Sequence, residues 1–300
     1  MQHAKGKEHH TLVDAIWGYT QFALDESTKR LLVVCSRSGL YEWQRMPFGP
    51  APAPAEMQSY VHSKFGSLKD KQGQRFCFAC MDDLKISSAT LEEHIEHLQQ
   101  LCEEARNDGF EFKWDKCQCN REELEFWGVM VGARGRRCMP KKIEQLEKWP
   151  EPHSADSVNS FLSFVNYLRD FLPPEWLEHE RVLRPFRKKN ADFTPWHKDD
   201  KYKSAFYKIR DMLNVHCVLH HPRLDDAARP EESGCPFEMF IDASDYAWAA
   251  VLTQRLEPHG APKIISIKAK SFDATQQRWS AMERELYALW RGVVEHEPPG

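Results

Sequence analysis

The 300-residue chain is 41% hydrophobic and 29% charged, enough for about two domains of roughly 150 residues with real cores. Its formal charge of -4 gives no overall pull toward nucleic acid, so such a function must rest on local basic clusters. No run approaches the ~20 apolar residues of a membrane span, and the start MQHAKGKEHH lacks a signal peptide's apolar core.

In chain order, TLVDAIW, TQFALDE and RLLVVCS, within residues 11 to 36, alternate like strands around a polar turn. A proline-rich stretch, MPFGPAPAPAEMQ, precedes an apolar periodic run from Met57. FCFACMDDLKIS reads as a hairpin bent around two acids. Thr90 and Glu93 form a capping box for a helix whose apolar face is Leu91, Ile95, Leu98, Cys102 and Ala105, ended at Asn107-Asp108-Gly109. EFKW and LEFWGVMVG read as strands. Trp149-Pro150-Glu151-Pro152 is a stiff linker. Ser154 or Asp156 caps the next helix, with Val158, Phe161, Leu162, Val165 and Leu168 inward and Pro173-Pro174 as its stop. More helix follows at 200 to 214, then a loop at 225 to 236. Three strand candidates come next, FEMFIDAS, YAWAAVLTQR and KIISIKAKS, and a helix from about Thr275 to Val293.

Nine cysteines without a disulfide rhythm suit a reducing compartment, cytoplasm or nucleus. Cys77-x-x-Cys80 and Cys117-x-Cys119 invite a zinc reading. A strand would send Cys77 and Cys80 to opposite faces, and two ligands one residue apart suit a structural zinc poorly. Core packing is the favoured reading.

Asp82 and Asp83 sit side by side in an apolar run. At about 4 Å and an effective dielectric near 20, two like charges repel by roughly 4 kcal/mol, so something positive must compensate. Alone, such a pair reads as a solvent-facing turn. Here it stands in an ordered series: Asp14-Ala15-Ile16-Trp17-Gly18-Tyr19; Met46-Pro47-Phe48-Gly49 with Ala53-Pro54 and Gln58; Cys80-Met81-Asp82-Asp83; Lys116-Cys117; Phe126-Trp127-Gly128. VNSFLSFVNYLRDF, FIDASDYAWAAVL and WSAMERELYAL follow. This series resembles the reverse transcriptases of gypsy-type LTR retrotransposons and retroviruses, over nearly the whole chain.

The resemblance implies an α+β fold: a partial right-hand polymerase, palm and thumb, followed by the first half of an RNase H-like βββα fold. The expected boundaries are 1–139 for the palm with residual fingers, 140–224 for thumb and connection, and 225–300 for the partial RNase H-like domain. It implies RNA-directed DNA polymerisation by two-metal nucleotidyl transfer, with two Mg²⁺ (or Mn²⁺) ions on Asp14, Asp82 and Asp83. Lys116 would be the general acid toward pyrophosphate, a solvated lysine being the alternative. Tyr19 would be the steric gate for the sugar, with core packing its rival. Phe48, Gly49, Gln58 and Met81 would contact substrate or lie under the templating base. Trp127 and Gly128 would be the primer grip, unless Trp127 is core. Arg134, Arg136, Arg137, Lys141 and Lys142 would meet a nucleic-acid backbone, although charge runs are often just solvated faces. A second basic run, Arg181 to Lys189, reads the same way. Asp242 and Glu285 are the implied RNase H metal ligands, with Glu283 the weaker choice. Template-primer RNA or DNA and deoxynucleotides are the implied partners.

The chain also departs from the pattern. Cys80 stands for a Tyr, Pro50 and Pro52 for Leu and Asn, Met57 for Phe, and Ser163 for Gly. Few residues precede Asp14, so most of the fingers is expected to be missing. The RNase H-like part ends after its first long helix, so RNA cleavage is expected to be lost, and Phe240, Ile265 and Ile267 are expected on an exposed sheet face. The alternative reading is a non-catalytic retroelement relic or nucleic-acid-binding fragment.

Overall fold

The computed structural model describes residues 6–213 and 217–296. The first half of the start segment, the expected helix end at 214 and the last four residues lie outside the described residues. The chain divides into two compact units, Met1–Trp127 with Val131–Ala133, and Gly128–Met130 with Arg134–Gly300. Among the described residues no helix is long and apolar enough to cross a membrane.

In the first unit, β1 (His9–Asp14) lies inside a four-stranded sheet. TQFALDE is not a strand. A 3₁₀ turn (Gly18–Gln21) leads to α1 (Glu26–Leu31), because the Asp25 carboxylate accepts the Ser27 and Thr28 N–H groups and caps a helix there. VVCS does extend, as β2 (Val33–Ser36), in an exposed ribbon with β3 (Gly39–Glu42). α2 (Ala53–Lys64) starts within the proline-rich stretch, with Pro54 in its first turn, where a missing N–H costs nothing. The acid hairpin forms as expected: β4 (Cys77–Cys80) pairs with β5 (Asp83–Ser88), and β5 with β1. Along β4, Cys77 and Ala79 are buried and Phe78 and Cys80 less so, the alternation that sends the two cysteines to opposite faces.

α3 (Leu91–Asp108) starts at the Thr90 cap and ends at Gly109, whose φ of 70° suits glycine. Its inward face differs from the apolar stripe. Leu91 and Ile95 are exposed, while His94, His97, Leu101 and Ala105 are buried. The histidines are tolerated inside because hydroxyls meet them: Thr11 Oγ1 lies 2.6 Å from His94 Nε2, and Ser88 Oγ lies 2.8 Å from the Nδ1 of both. EFKW is not a strand either. Phe112 makes a single bridge to Ala15, and Trp114–Lys116 is a 3₁₀ turn. β6 (Gln118–Arg121) closes the sheet order β4-β5-β1-β6. LEFWGVMVG is two strands, β7 (Glu123–Phe126) and β8 (Val129–Gly132). Trp127 and Gly128 both have positive φ, 53° and 73°, the signature of a two-residue hairpin turn.

In the second unit, β9 (Gly135–Cys138) precedes the helices α4 (Pro140–Glu147), α5 (Ala155–Tyr167), α6 (Trp176–Leu183), α7 (Thr194–Lys198) and α8 (Asp200–Met212). Ser154 and Ser157 form the capping box that starts α5. β10 (Val218–His220) pairs with β9. The loop expected at 225 to 236 contains two short helices, α9 (Leu224–Ala228) and α10 (Pro230–Ser233). The antiparallel sheet of β11 (Phe237–Ala243), β12 (Ala247–Arg255) and β13 (Pro262–Ser271) follows, then α11 (Ala281–His296). Both sheet faces are covered. Tyr246 and Ile267 join the core of Val158, Phe161, Val165, Trp196 and Phe206. Trp248 and Ala250 pack with Ala288 of α11. Phe240 is exposed as expected, but Ile265 and Ile267 are buried, and Ile267 packs into the core that the helical segment supplies.

Candidate active site

Strand register assembles the acids. Asp14 ends β1 directly opposite Asp83, the first residue of β5. Asp82 sits in the hairpin turn, where its C=O accepts the Ala15 N–H at 2.8 Å. The Lys113 N–H donates to the Asp14 C=O, also at 2.8 Å. Beside Asp82, Met81 has φ of 57°, a conformation that costs an L-residue energy unless its surroundings impose it. Gln58, projecting from α2, does so: its side-chain oxygen accepts the Met81 N–H at 2.7 Å and its amide donates to the Ala79 C=O at 3.2 Å. Gln58 therefore grips the hairpin backbone.

Burial pushes the Asp83 carboxyl up to about 6, aided by the negative charges of Asp82 and Asp14 and opposed by Lys116. The Lys116 Nζ lies 3.6 Å from Asp14 Oδ2, the positive partner that the adjacent acids require. Three carboxylates and one lysine leave a surplus of negative charge, and hard oxygen donors match a divalent cation such as Mg²⁺. Among the described residues no three His, Cys, Asp or Glu side chains converge as a ready-made metal cage. Mg²⁺ typically takes one or two carboxylates and completes its shell with water and substrate phosphates.

A cleft of about 330 Å³ opens over these acids, lined by Asp14, Asp82, Tyr19, Phe48 and Lys116 among others. Asp83 and Gly49 do not line it. Tyr19 is half-buried, with its ring edge-on to Phe48 at 5.1 Å, and Phe48 is 71% exposed. Residue-by-residue reading missed Trp17, Gly18, Met57 and Lys113, which also line the cleft. Gly18 had a signal in the Gly-Tyr pair: a Cβ there would strike the end of the Met57 side chain and come within 3.6 Å of the Asp82 Cβ. Met57, in place of an aromatic, fills the space beneath that glycine.

The remaining site residues stand apart from this cluster in kind. Trp127 is 57% exposed, so it is not core, and it occupies a turn instead of a strand. Gly128 lies against the Tyr167 hydroxyl with no room for a side chain. Arg134 and Lys141 are exposed, Arg136 lies 3.8 Å from Asp170, and Lys142 sits over the Phe164 and Tyr167 rings. Arg137 is half-buried. In the second basic run, Arg184 and Arg187 turn inward to the buried Glu180, which also accepts from the Tyr246 hydroxyl at 3.0 Å. Asp242 and Glu285 are exposed on β11 and α11, and Glu283 caps α11 by accepting the Ser280 N–H at 2.7 Å.

Two family descriptions match the chain: "Reverse transcriptase (RNA-dependent DNA polymerase)" over residues 1–131, and "RNase H-like domain found in reverse transcriptase" over residues 198–298. The chain belongs to the retrotransposon reverse transcriptases. It is 26% identical over 97% of its length to the "Retrovirus-related Pol polyprotein from transposon 412" of Drosophila melanogaster. It is 25% identical over 89% of its length to the "Transposon Tf2-3 polyprotein" of Schizosaccharomyces pombe. It spans only 22% and 19% of those two relatives. In fold it is similar to the foamy viral protease-reverse transcriptase solved with an RNA/DNA hybrid, at a TM-score of 0.75 and 16% identity, covering 98% of this chain and 38% of that one. The same viral protein solved with double-stranded DNA gives 0.72 at 18% identity, covering 96% and 56%. Reverse transcriptases generally use divalent metals.

Proposed function

We propose that this reverse transcriptase segment carries the nucleotidyl-transfer site of an RNA-directed DNA polymerase, at the cleft of Asp14, Asp82 and Lys116 with Asp83 beside it. The observation that carries this reading is the register that sets Asp14 against Asp83 with a lysine 3.6 Å away. Asp14, Asp82 and Asp83 would hold Mg²⁺ or Mn²⁺, two ions in the complete site. When bound, those ions supply positive charge for the triphosphate and lower the pKa of the primer hydroxyl.

The protein's own groups do the rest. Gln58 locks the hairpin, so the acids are positioned before substrate arrives and reorganisation cost falls. Lys116 sits where it can donate a proton or a hydrogen bond to a departing phosphate oxygen. Tyr19, half-buried against Phe48, presents a ring edge to the sugar and excludes a 2′-hydroxyl by volume. Exposed Phe48 offers a face for a base. Arg134 and Lys141, with the rest of their run, contact a nucleic-acid backbone, as suits a polymerase that holds any sequence. The fold-level neighbours, solved with an RNA/DNA hybrid and with double-stranded DNA, support a duplex as the partner. Residues 140–224 read as thumb and connection, and 225–300 as an RNase H-like segment.

Primer extension on a homopolymeric RNA template with Mg²⁺ tests this directly. DNA synthesis that Asp82→Asn abolishes is the expected result. A fully folded chain that binds template-primer but adds no nucleotide would overturn it.

A further inference from the structure

The antiparallel ladder between β9 and β10 sets Arg137 opposite Val218, Arg136 opposite Leu219 and Gly135 opposite His220. Running the same register one residue further sets Cys217 opposite Cys138. Residues directly opposite in a sheet project to the same face, with Cα atoms about 4.5–5.5 Å apart. That separation lies inside the roughly 4.4–6.8 Å range of disulfide-bonded cysteines. Both are free thiols, Cys138 buried at 2% exposure and Cys217 half-buried.

We propose that Cys138 and Cys217 are a redox site, forming a reversible cross-strand disulfide that closes the α4–α8 segment into a covalent loop. The oxidant is a low-molecular-weight disulfide. Cys217, the more accessible thiol, loses its proton and attacks one sulfur, releasing the first small thiol and leaving a mixed disulfide. Cys138 then loses its proton and attacks the Cys217 sulfur, releasing the second. Two S–H bonds become one protein S–S bond, and the small disulfide is reduced to two thiols. Burial pushes the Cys138 thiol up to about 11 and raises that of Cys217. Thiolate is therefore scarce at neutral pH, and closure is slow, quickening up to about tenfold per pH unit. The loop spans almost all of the helical segment, so closing it restricts the unfolded chain strongly.

The test treats the full native chain with oxidised glutathione at mildly alkaline pH, blocks free thiols and maps peptides by mass spectrometry. A peptide joining Cys138 to Cys217 should be the dominant internal link, vanish with dithiothreitol and be missing from Cys217→Ser. The oxidised chain should melt about 5 °C higher than the reduced one. Glutathione mixed disulfides at both positions without a link would overturn the proposal. So would another cysteine pair dominating, or a link yield in the native chain no greater than in concentrated urea.

Discussion

The acids of the two units face opposite situations. Beside exposed Asp82, strand register sets Asp14 against Asp83, both half-buried, with Lys116 next to Asp14 and Gln58 anchoring the hairpin. In the second unit, Asp242 and Glu285 belong to a correctly ordered sheet and helix, but both are exposed. Motif residues alone do not make a site. The surroundings that hold them in an otherwise unfavourable arrangement do, because only then is there stored repulsion for a cation to relieve.

The strongest way to break this contrast is by charge removal. Asp82→Asn should cut primer extension by about 10³-fold or more, as expected when a transition-state charge partner is lost. Its divalent-ion stabilisation, read by melting in Mn²⁺, should vanish too. Asp242→Asn should change neither. RNA cleavage in a labelled hybrid should be absent from the wild-type chain, and cleavage that Asp242→Asn removes would put the two acid sets on the same footing.

Tyr19→Ala should lower discrimination against ribonucleotides by about tenfold or more while DNA synthesis continues. Single-nucleotide incorporation with paired deoxy- and ribonucleotides measures it. Unchanged discrimination would return Tyr19 to a packing role.

Two stability measurements sharpen the comparison. Gln58→Ala leaves the Met81 N–H unpaired beside a left-handed backbone, so it should cost about 1–3 kcal/mol in urea titration. The first unit also carries a pH dependence. Burial holds His94 down to about 4, against about 6.5 unfolded. Between those values the unfolded chain binds the extra proton, so stability is full above about pH 6.5 and falls as pH drops toward 4. The loss should be on the order of 2 kcal/mol. His94→Gln should flatten that slope, and an unchanged slope would assign it to other groups.

The smallest effect belongs to α11, where Met282 and Leu286 are 75% and 59% exposed. Changing both to Lys should move stability by less than about 0.5 kcal/mol in differential scanning. A larger loss would show that this face is packed in solution.

Elements with one dominant local cause were legible in the chain itself. The acid hairpin, the Thr90 and Ser154 caps, the αL stop at Gly109 and the inward face of α5 each follow from turn chemistry or apolar period. The ordered motif series named the family and, of the charged residues lining the cleft, Asp14, Asp82 and Lys116 but not Lys113. What sequence could not decide was which partner a residue would find. His94 and His97 look like surface residues until Thr11, 83 positions away from His94, and the nearby Ser88 meet their nitrogens. Asp25 turned an alternating strand pattern into a helix start. Ile267 gained a cover from helical residues such as Phe161, Trp196 and Phe206, some sixty or more positions away in sequence. Gln58 became a hairpin clamp only because α2 lies against β4. Cys138 and Cys217 became neighbours only through β9–β10 register. Local propensity is written in adjacent residues, but burial and polar satisfaction depend on contacts that only the folded chain brings together.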